Sequence, residues 1–417
     1  MAWEEFSVSE AAKIRARCEL LVEDIQDRGV DIEMVKDRLR KQSIETPSWG
    51  YGDTGTRFGV FPQEWAAQTA EQRLQDAAAT HRYTGVTPTV ALHIPWDIVD
   101  DWAALAQYAD DLGVSIGAIN PNLFQDQDYK LGSVCHPDAD VRQKSIDHLL
   151  QCTEIMRITG SDILSVWLAD GTNYPGQDDF RKRKARLMEC LRAGYNDMPA
   201  GARMLVEYKF FEPAFYHTDL PDWGTSLVVC QALGDRAEVL IDTGHHAQGT
   251  NIEFIVAYLL DEQRLGGFHF NCRKFADDDL TTGSINPQEL FFIFTELVKE
   301  ENDPDSRANI AYMIDQSHNL KPKIEAMIQS VMSIQTAYAR ALIVPYGELA
   351  DAQDAQDIVA AERILQKADN TDVEPLLQTL RIENGLDPDP LDAFRASGYL
   401  EKAAADRRDG PKSGWGS

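Results

Sequence analysis

The sequence predicts an α/β fold, an eight-stranded parallel TIM-type barrel, from three observations. Short apolar runs bounded by turn residues recur eight times, amphipathic segments separate them, and nearly every run ends in a polar or aromatic residue. The chain of 417 residues is too long for one small core and suits a catalytic barrel with an N-terminal helical arm and a C-terminal helical extension.

The elements follow in order. Ser7 with Glu10 offers a capping box, and Ile14, Cys18, Leu21 and Ile25 recur at helical spacing until Gly29 interrupts; a second helix from Ile32 to Lys41 completes an arm over residues 1–45. The barrel is expected over 46–322. Its first strand and loop fall in Pro47-Ser-Trp-Gly-Tyr-Gly. The next seven runs are Val90 to Ile94, Val114 to Ile119, Ile163 to Leu168, Met204 to Glu207, Val239 to Asp242, Gly267 to His269 and Ile310 to Asp315. Helical segments such as Gln63 to Arg82, Val141 to Ile158, Asp179 to Tyr195 and Ile252 to Leu260 lie between them. Beyond Asn319, helical patterns from Ile324 to Ile343 and from Asp354 to Lys367 precede a tail after Ala405. Residues 323–417 are therefore expected to serve subunit contacts rather than catalysis.

Composition narrows the function. A hydrophobic fraction of 43% with charged residues spread throughout fits a globular chain with a sizeable core. The net charge of −28 opposes binding to phosphate backbones and anionic membranes, which removes nucleic acid and membrane as expected partners. Met1-Ala-Trp-Glu-Glu lacks the basic start of a secretory signal, and no run approaches the roughly 20 apolar residues of a membrane span. The six cysteines are scattered without metal or redox spacing, so they read as reduced thiols of a cytoplasmic protein. Dinucleotide, phosphate-loop and serine-elbow motifs are all missing, which leaves metal-assisted chemistry.

The residues at or just past the run ends are, in order, Trp49, His93, Asn120, Trp167, Glu207, Asp242, His269 and Asp315. Glu207 and Lys209, two apart, face the same side of a strand, as a site pair or as a structural ion pair. In Asp242-Thr-Gly-His245-His246 the carboxylate ends a strand and His245 is the better ligand; His246 is left unassigned. Asp277 and Asp279 can converge on one cation while Asp278 turns away; an acidic run is otherwise a solvated face. Asp315 supplies the last carboxylate, or caps a helix, with Ser317 beyond it as a substrate contact. Oxygen-rich donors with one or two imidazoles suit Mn²⁺, Mg²⁺ or Co²⁺. His93 suits a sugar ring oxygen, or is a core histidine; Trp49, Phe58, Phe124 and Trp167 offer stacking walls, or plug the core.

Taken together, these positions resemble the L-rhamnose isomerases of the broad-specificity bacterial type, within the xylose-isomerase-like barrels. The resemblance runs almost end to end. It is carried by Pro47-Ser-Trp-Gly, Thr56-Arg-Phe58, Leu92-His-Ile-Pro-Trp-Asp97, Asp170-Gly-Thr-Asn-Tyr-Pro-Gly-Gln177, Glu212-Pro-Ala-Phe-Tyr216, Asp242-Thr-Gly-His-His246, Gly266-Gly-Phe-His-Phe-Asn271, Asp277-Asp-Asp279 and Met313-Ile-Asp-Gln-Ser-His-Asn319. It persists in Thr371-Asp-Val-Glu-Pro375 and Ala396-Ser-Gly-Tyr399.

The resemblance implies two divalent ions per subunit, with Mn²⁺ foremost. One would be held by Glu207, Asp242, His269 and Asp315, the other by His245, Asp277 and Asp279, with Glu207 bridging. It further implies that Lys209 polarises O1, that His93 meets the ring oxygen, that Trp167 and Phe124 wall the pocket, and that Phe58 enters from a neighbouring subunit of a homotetramer. The catalytic set so implied is Lys209, His93, Asp315 and His245. Cys272 to Ala276 departs from the family pattern and places Arg273 near the second ion; Pro121 replaces a small residue, and the segment after Phe58 is shortened. The expected function is an aldose-ketose isomerase acting on a monosaccharide, L-rhamnose or a relative such as D-allose. A 3-epimerase or dehydratase, or a non-catalytic sugar binder, is the alternative.

Overall fold

The computed structural model describes residues 8–53, 55–56, 59–212, 216–317 and 320–408. Eight strands form a closed ring: β1 (Glu45–Pro47), β2 (Thr89–Ile94), β3 (Ser115–Pro121), β4 (Ile163–Val166), β5 (Arg203–Glu207), β6 (Ala237–Asp242), β7 (Leu265–Phe270) and β8 (Ala311–Ile314). Every pairing is parallel, and the order around the ring is β1-β8-β7-β6-β5-β4-β3-β2. Runs such as Met204-Leu-Val and Val239-Leu-Ile are buried on both faces, as strands covered by helices outside and packed together inside must be.

Each strand feeds one helix of an outer ring, in chain order Ala70–Thr84, Trp102–Leu112, Ala139–Thr159, Phe180–Asp197, Trp223–Leu233, Ile252–Asp261, Pro287–Glu301 and Lys323–Leu342. Local chemistry sets their starts: the side chains of Asp101, Asp138, Asp179, Asp222, Asn251 and Asn286 each accept a first-turn N–H, a cap that stabilises a helix by about 1 kcal/mol. Gly85, Gly113 and Gly160 end three of them in the left-handed conformation that glycine adopts without strain.

Three expectations change. The first strand is Glu45–Pro47, and Ser48–Tyr51 is a 3₁₀ turn, so Trp49 projects from the turn rather than from the strand. Residues 63–69 are not helical. The helix Lys323–Leu342, expected in the extension, packs on the helices Pro287–Glu301 and Ala70–Thr84 and closes the ring, so a boundary at 322 would cut the eighth strand-helix unit in two. The arm (Val8–Asp27, Ile32–Lys41) packs through its first helix on Glu374–Glu383 of the extension. Farther along the extension, Arg407 forms a buried ion pair with Asp76 on the first barrel helix, Nη2 to Oδ1 2.7 Å. Ser7 of the expected capping box lies outside the described residues.

The barrel interior decides where the site sits. Ala91, Ala118, Ile163, Leu205, Leu240 and Met313 pack together as an apolar plug, with Trp49 above. Side chains of a strand alternate, so the residue two further on points to the same interior, one layer nearer the carboxyl end. Those residues are His93, Asn120, Ser165, Glu207, Asp242 and Asp315. On β7, Gly267 precedes His269 in the same register; a Cβ at Gly267 would lie 2.9 Å from the Ala311 carbonyl oxygen.

Candidate metal and substrate site

Four adjacent strands, β5 to β8, carry the acidic and imidazole groups. One donor atom from each of Glu207, Asp242, His269 and Asp315 lies within 4.8 Å of the others, and a second such group joins Asp242, His245 and Asp277. Glu207 spans both: its Oε1 is 3.0 Å from His245 Nδ1 and its Oε2 3.2 Å from His269 Nδ1. Yet Glu207 Oε1, His269 Nδ1 and Asp277 Oδ1 are buried without a hydrogen-bond partner. Buried polar atoms are normally paired. Close approach without hydrogen-bond alignment is what lone pairs aimed at a shared centre produce, so these residues fit a cation.

The supporting contacts fix the donors. Asn271 Nδ2 donates to Asp242 Oδ1 and Oδ2 at 3.0 and 3.1 Å and to the Asp315 carbonyl at 2.9 Å. Gly244 is needed beside them, since a Cβ there would sit 2.7 Å from Asn271 Oδ1. Trp49 Nε1 donates to Asp315 Oδ1 at 2.8 Å, a role sequence reading did not give this indole. Tyr208 Oη and His246 Nε2 are 2.6 Å apart behind the site, which accounts for His246 as support rather than ligand. Lys209 Nζ donates to Asp277 Oδ2 at 2.7 Å and lies 5.2 Å from the Trp167 ring centre.

Asp278 turns away as expected, accepting from the Lys274 and Phe275 N–H groups. Asp279 is held in the left-handed region at φ 46°, and it lines the cavity without joining either donor group. Arg273 does not crowd the site: its guanidinium turns back to the Thr243 and Ala247 carbonyls, with Glu289 Oε2 3.6 Å away. Cys272 is no ligand either; its Sγ accepts from the Ile285 N–H at 3.4 Å.

The other four strands carry rings. His93 stacks on Trp96 at 3.7 Å between centroids, and Phe124 meets His93 and Trp167 edge-on at 5.7 and 4.9 Å. Beneath them Asp97 accepts from the His93 N–H at 2.7 Å, from Ser48 Oγ at 2.5 Å and from Arg73 Nη1 at 2.6 Å, fixing the turn after β2. His93 Nδ1, Trp167 Nε1 and Ser165 Oγ are buried and unpartnered beside the cavity. Ser165 was missed by sequence reading, although its position two before Trp167 was the available signal. The cavity, about 600 Å³, is lined by Trp49, His93, Phe124, Trp167 and Lys209 together with Glu207, His245, His269, Asp277, Asp279 and Asp315, while Asp242 lies behind them. Ser317 does not line it, and Phe58 lies outside the described residues.

Electrostatics follow from crowding buried charge. Burial pulls the Glu207 carboxyl upward, but the charge of His269 and then His245 holds it at about 2. Burial, with Glu207, Asp277 and Asp315 nearby, raises Asp242 to about 7 against the pull of His245, and burial with Asp277 and Asp315 raises Asp279. Burial would lower His269, yet Glu207, Asp315 and Asp242 raise it to about 9. His93, desolvated and near His148 and Arg73, is held well below the ordinary histidine value and stays neutral. With Lys209 the one ammonium against these carboxylates, the remaining charge must be balanced by protons or by cations. A second acidic group, Cys135, Asp170 and Asp219, differs: Asp170 accepts from the Ser133 and Cys135 N–H groups, and Asp219 is paired with Arg183.

A closed ring of parallel strands with its donors gathered at their carboxyl ends is a TIM barrel with its site at the mouth. The family model described as xylose isomerase-like TIM barrel matches residues 75–297, and the chain belongs to that family. A protein of Rhizobium meliloti named "Probable sugar isomerase" is 44% identical over 394 residues, covering 93% of this chain and 92% of that protein. A Mesorhizobium japonicum protein of the same description is 42% identical over 392 residues, covering 93% and 91%. Solved structures of an L-ribulose 3-epimerase (TM-score 0.51, 16% identity, 73% of this chain and 98% of that one) and of a Methylomonas sp. D-allulose 3-epimerase (0.51, 13%, 71% and 98%) share the fold. Among the described residues no helix is long and apolar enough to cross a membrane, and all six cysteines are buried and free of disulfides.

Proposed function

We propose that this chain is a sugar isomerase that interconverts an aldose and its ketose with the help of divalent cations, on L-rhamnose or related sugars such as D-allose. The observation that carries the reading is the charge balance around one cavity. At the acidic end of the cavity Glu207, Asp242, Asp277, Asp279 and Asp315 bring five carboxylates against one ammonium, Lys209, while Asp126 and Lys130 on the far wall offset each other in formal charge. Ionised, the acidic end carries four net negative charges, the charge of two divalent ions. Glu207, Asp242, His269 and Asp315 would hold one, and His245 and Asp277, which share a donor group with Asp242, would hold the other, with Asp279 completing that set from the cavity wall and Glu207 reaching toward both. Bound there, Mn²⁺, Mg²⁺ or Co²⁺ would stabilise negative charge developing on the oxygens of C1 and C2.

The chain's own groups do the rest. Lys209, which lines the cavity, donates to the oxygen at C1, and its hydrogen bond to Asp277 holds the ammonium in place. Neutral His93 can give an N–H to the ring oxygen and so help the ring open. Trp49, Phe124 and Trp167 cover the apolar faces of the sugar and exclude water. The names of the two full-length relatives, both sugar isomerases, support the same class. The reading extends to a cytoplasmic homotetramer, to be checked by light scattering. Chelator-stripped protein given Mn²⁺ should convert at least one aldose to its ketose. Silence on every aldose contradicts the proposal, and inversion of a ketose at C3 with no aldose formed replaces it with an epimerase.

A further inference from the structure

We infer that Gln125 reads the far end of the sugar as a hydrogen-bond donor, so that substrates with oxygen on the terminal carbon are preferred over those ending in a methyl group. The inference rests on the sugar-isomerase reading of this cavity. It begins with ring geometry: β3 and β7 are four strands apart in a ring of eight, so the loop after β3 lies across the mouth from the loop carrying Asp277 and Asp279. A sugar whose first carbons meet the acidic side therefore presents its last carbon to the β3 loop. That loop lines the cavity with the rings of Phe124 and Tyr129 and, beside them, with Gln125, Asp126, Gln127 and Lys130, so polar groups able to meet an oxygen stand at that end.

The orientation of the Gln125 amide is set by its neighbours. Trp96 Nε1 and Asn122 Nδ2 both donate to Gln125 Oε1, each at 2.7 Å. An indole nitrogen can only donate, so the atom facing it must be the oxygen, and the amide cannot be turned over. Both lone-pair directions of that oxygen are then in use. The backbone N–H of Gln125 donates to Asn122 Oδ1 at 3.0 Å, which pins the turn. The two N–H bonds of the side-chain amide donate to no described residue, and the side chain is exposed where it lines the cavity, so a ligand oxygen there would replace water. They suit a hydroxyl or ether oxygen. Trp96 in turn stacks on His93, so one glutamine both positions a wall of the pocket and offers donors beyond it. Within the sugars proposed above, this favours D-allose, with its terminal hydroxymethyl group, over L-rhamnose, whose terminal carbon is a methyl.

The test uses the Mn²⁺-loaded full chain with D-allose and 6-deoxy-D-allose, identical at every ring carbon. Turnover is measured as kcat/KM, and affinity by quenching of the cavity tryptophans. The wild type should favour D-allose about tenfold, the range of one hydrogen bond to a neutral group, and Gln125→Met should bring the ratio near one. Disturbance of Trp96 alone would lower both sugars together and leave the ratio intact. Gln125→Glu keeps the acceptor for Trp96 and Asn122 but loses the donors, so it should bind 6-O-methyl-D-allose, whose terminal oxygen only accepts, about tenfold less well than the wild type does. A wild type without the D-allose preference, a ratio unmoved in Gln125→Met, or no binding of either sugar overturns the inference. A tenfold difference in binding without turnover would uphold it while sinking the isomerase reading.

Discussion

The two halves of the barrel mouth are built for opposite tasks. Strands β5 to β8 and their loops present five carboxylates and two imidazoles, with buried, unpartnered atoms on Glu207, His269 and Asp277; strands β1 to β4 present Trp49, His93, Trp96, Phe124 and Trp167, packed edge to face except where His93 stacks on Trp96. A tryptophan stands at each seam. Trp49, after β1, donates to Asp315 after β8, while Trp167, after β4, lies under the Lys209 ammonium after β5. The contrast teaches how one apolar plug supports both. The same two-residue alternation that puts Glu207 above Leu205 puts His93 above Ala91, and only the residue chosen at the end of each strand differs.

That division can be broken from either side. The largest effect is expected on the acidic side: if Lys209 is a donor to substrate, as proposed, and not a ligand, Lys209→Met should lower kcat by about 10²- to 10⁴-fold while leaving the number of bound metal ions unchanged. Equal loss of metal would assign it to the ion site instead. Trp49→Phe keeps a ring but removes the N–H held by Asp315, and Mn²⁺ affinity, measured by competition with a chelating dye, should weaken about 10- to 100-fold. An unchanged affinity would return Trp49 to the role of a plain wall. Phe124→Leu should raise KM about three- to tenfold with kcat nearly intact, the scale of one aromatic contact. A fall in kcat as large as that of Lys209→Met would erase the distinction between the halves.

The gentlest test is pH. In the chelated protein His269 titrates at about 9 instead of 6.5, and Asp242 at about 7 instead of 3.8, so the folded state holds protons that the unfolded chain has released. The contribution of each is complete below its unfolded value and is lost as pH rises through its folded one. Glu207, held at about 2 against 4.5, contributes in the opposite sense but only below that window. The Tm of chelated protein should therefore fall between pH 6.5 and 9, and Mn²⁺ should flatten the slope. A Tm that rises over this range contradicts the crowding of charge described here.

Much of this was legible in the sequence, and the reasons are local. Glu207, Asp242, His269 and Asp315 stood out because each closes or follows an apolar run, and the helix Ile32–Lys41 fell where its pattern begins and ends. The first strand did not, since three residues, Glu45–Pro47, are too few to show alternation. The closing helix Lys323–Leu342 was assigned to the extension because its pattern runs on into helices that belong there; only its packing on the first and seventh barrel helices sets it apart. The contact from Trp49 to Asp315 joins residues 266 apart, and Gln125 is a loop glutamine whose meaning depends on Trp96, 29 positions away. Such pairings have no local signature. Arg273 looked like an intrusion because its identity was visible and its direction was not; the carbonyls of Thr243 and Ala247 draw it away from the cavity.

Equilibrium dialysis of chelator-stripped protein against Mn²⁺ tests the centre of the account most directly, with Glu207→Gln beside the wild type. Two tightly held ions per chain, both weakened in the variant, are the predicted result. No tight binding, or binding that ignores Glu207→Gln, would contradict it.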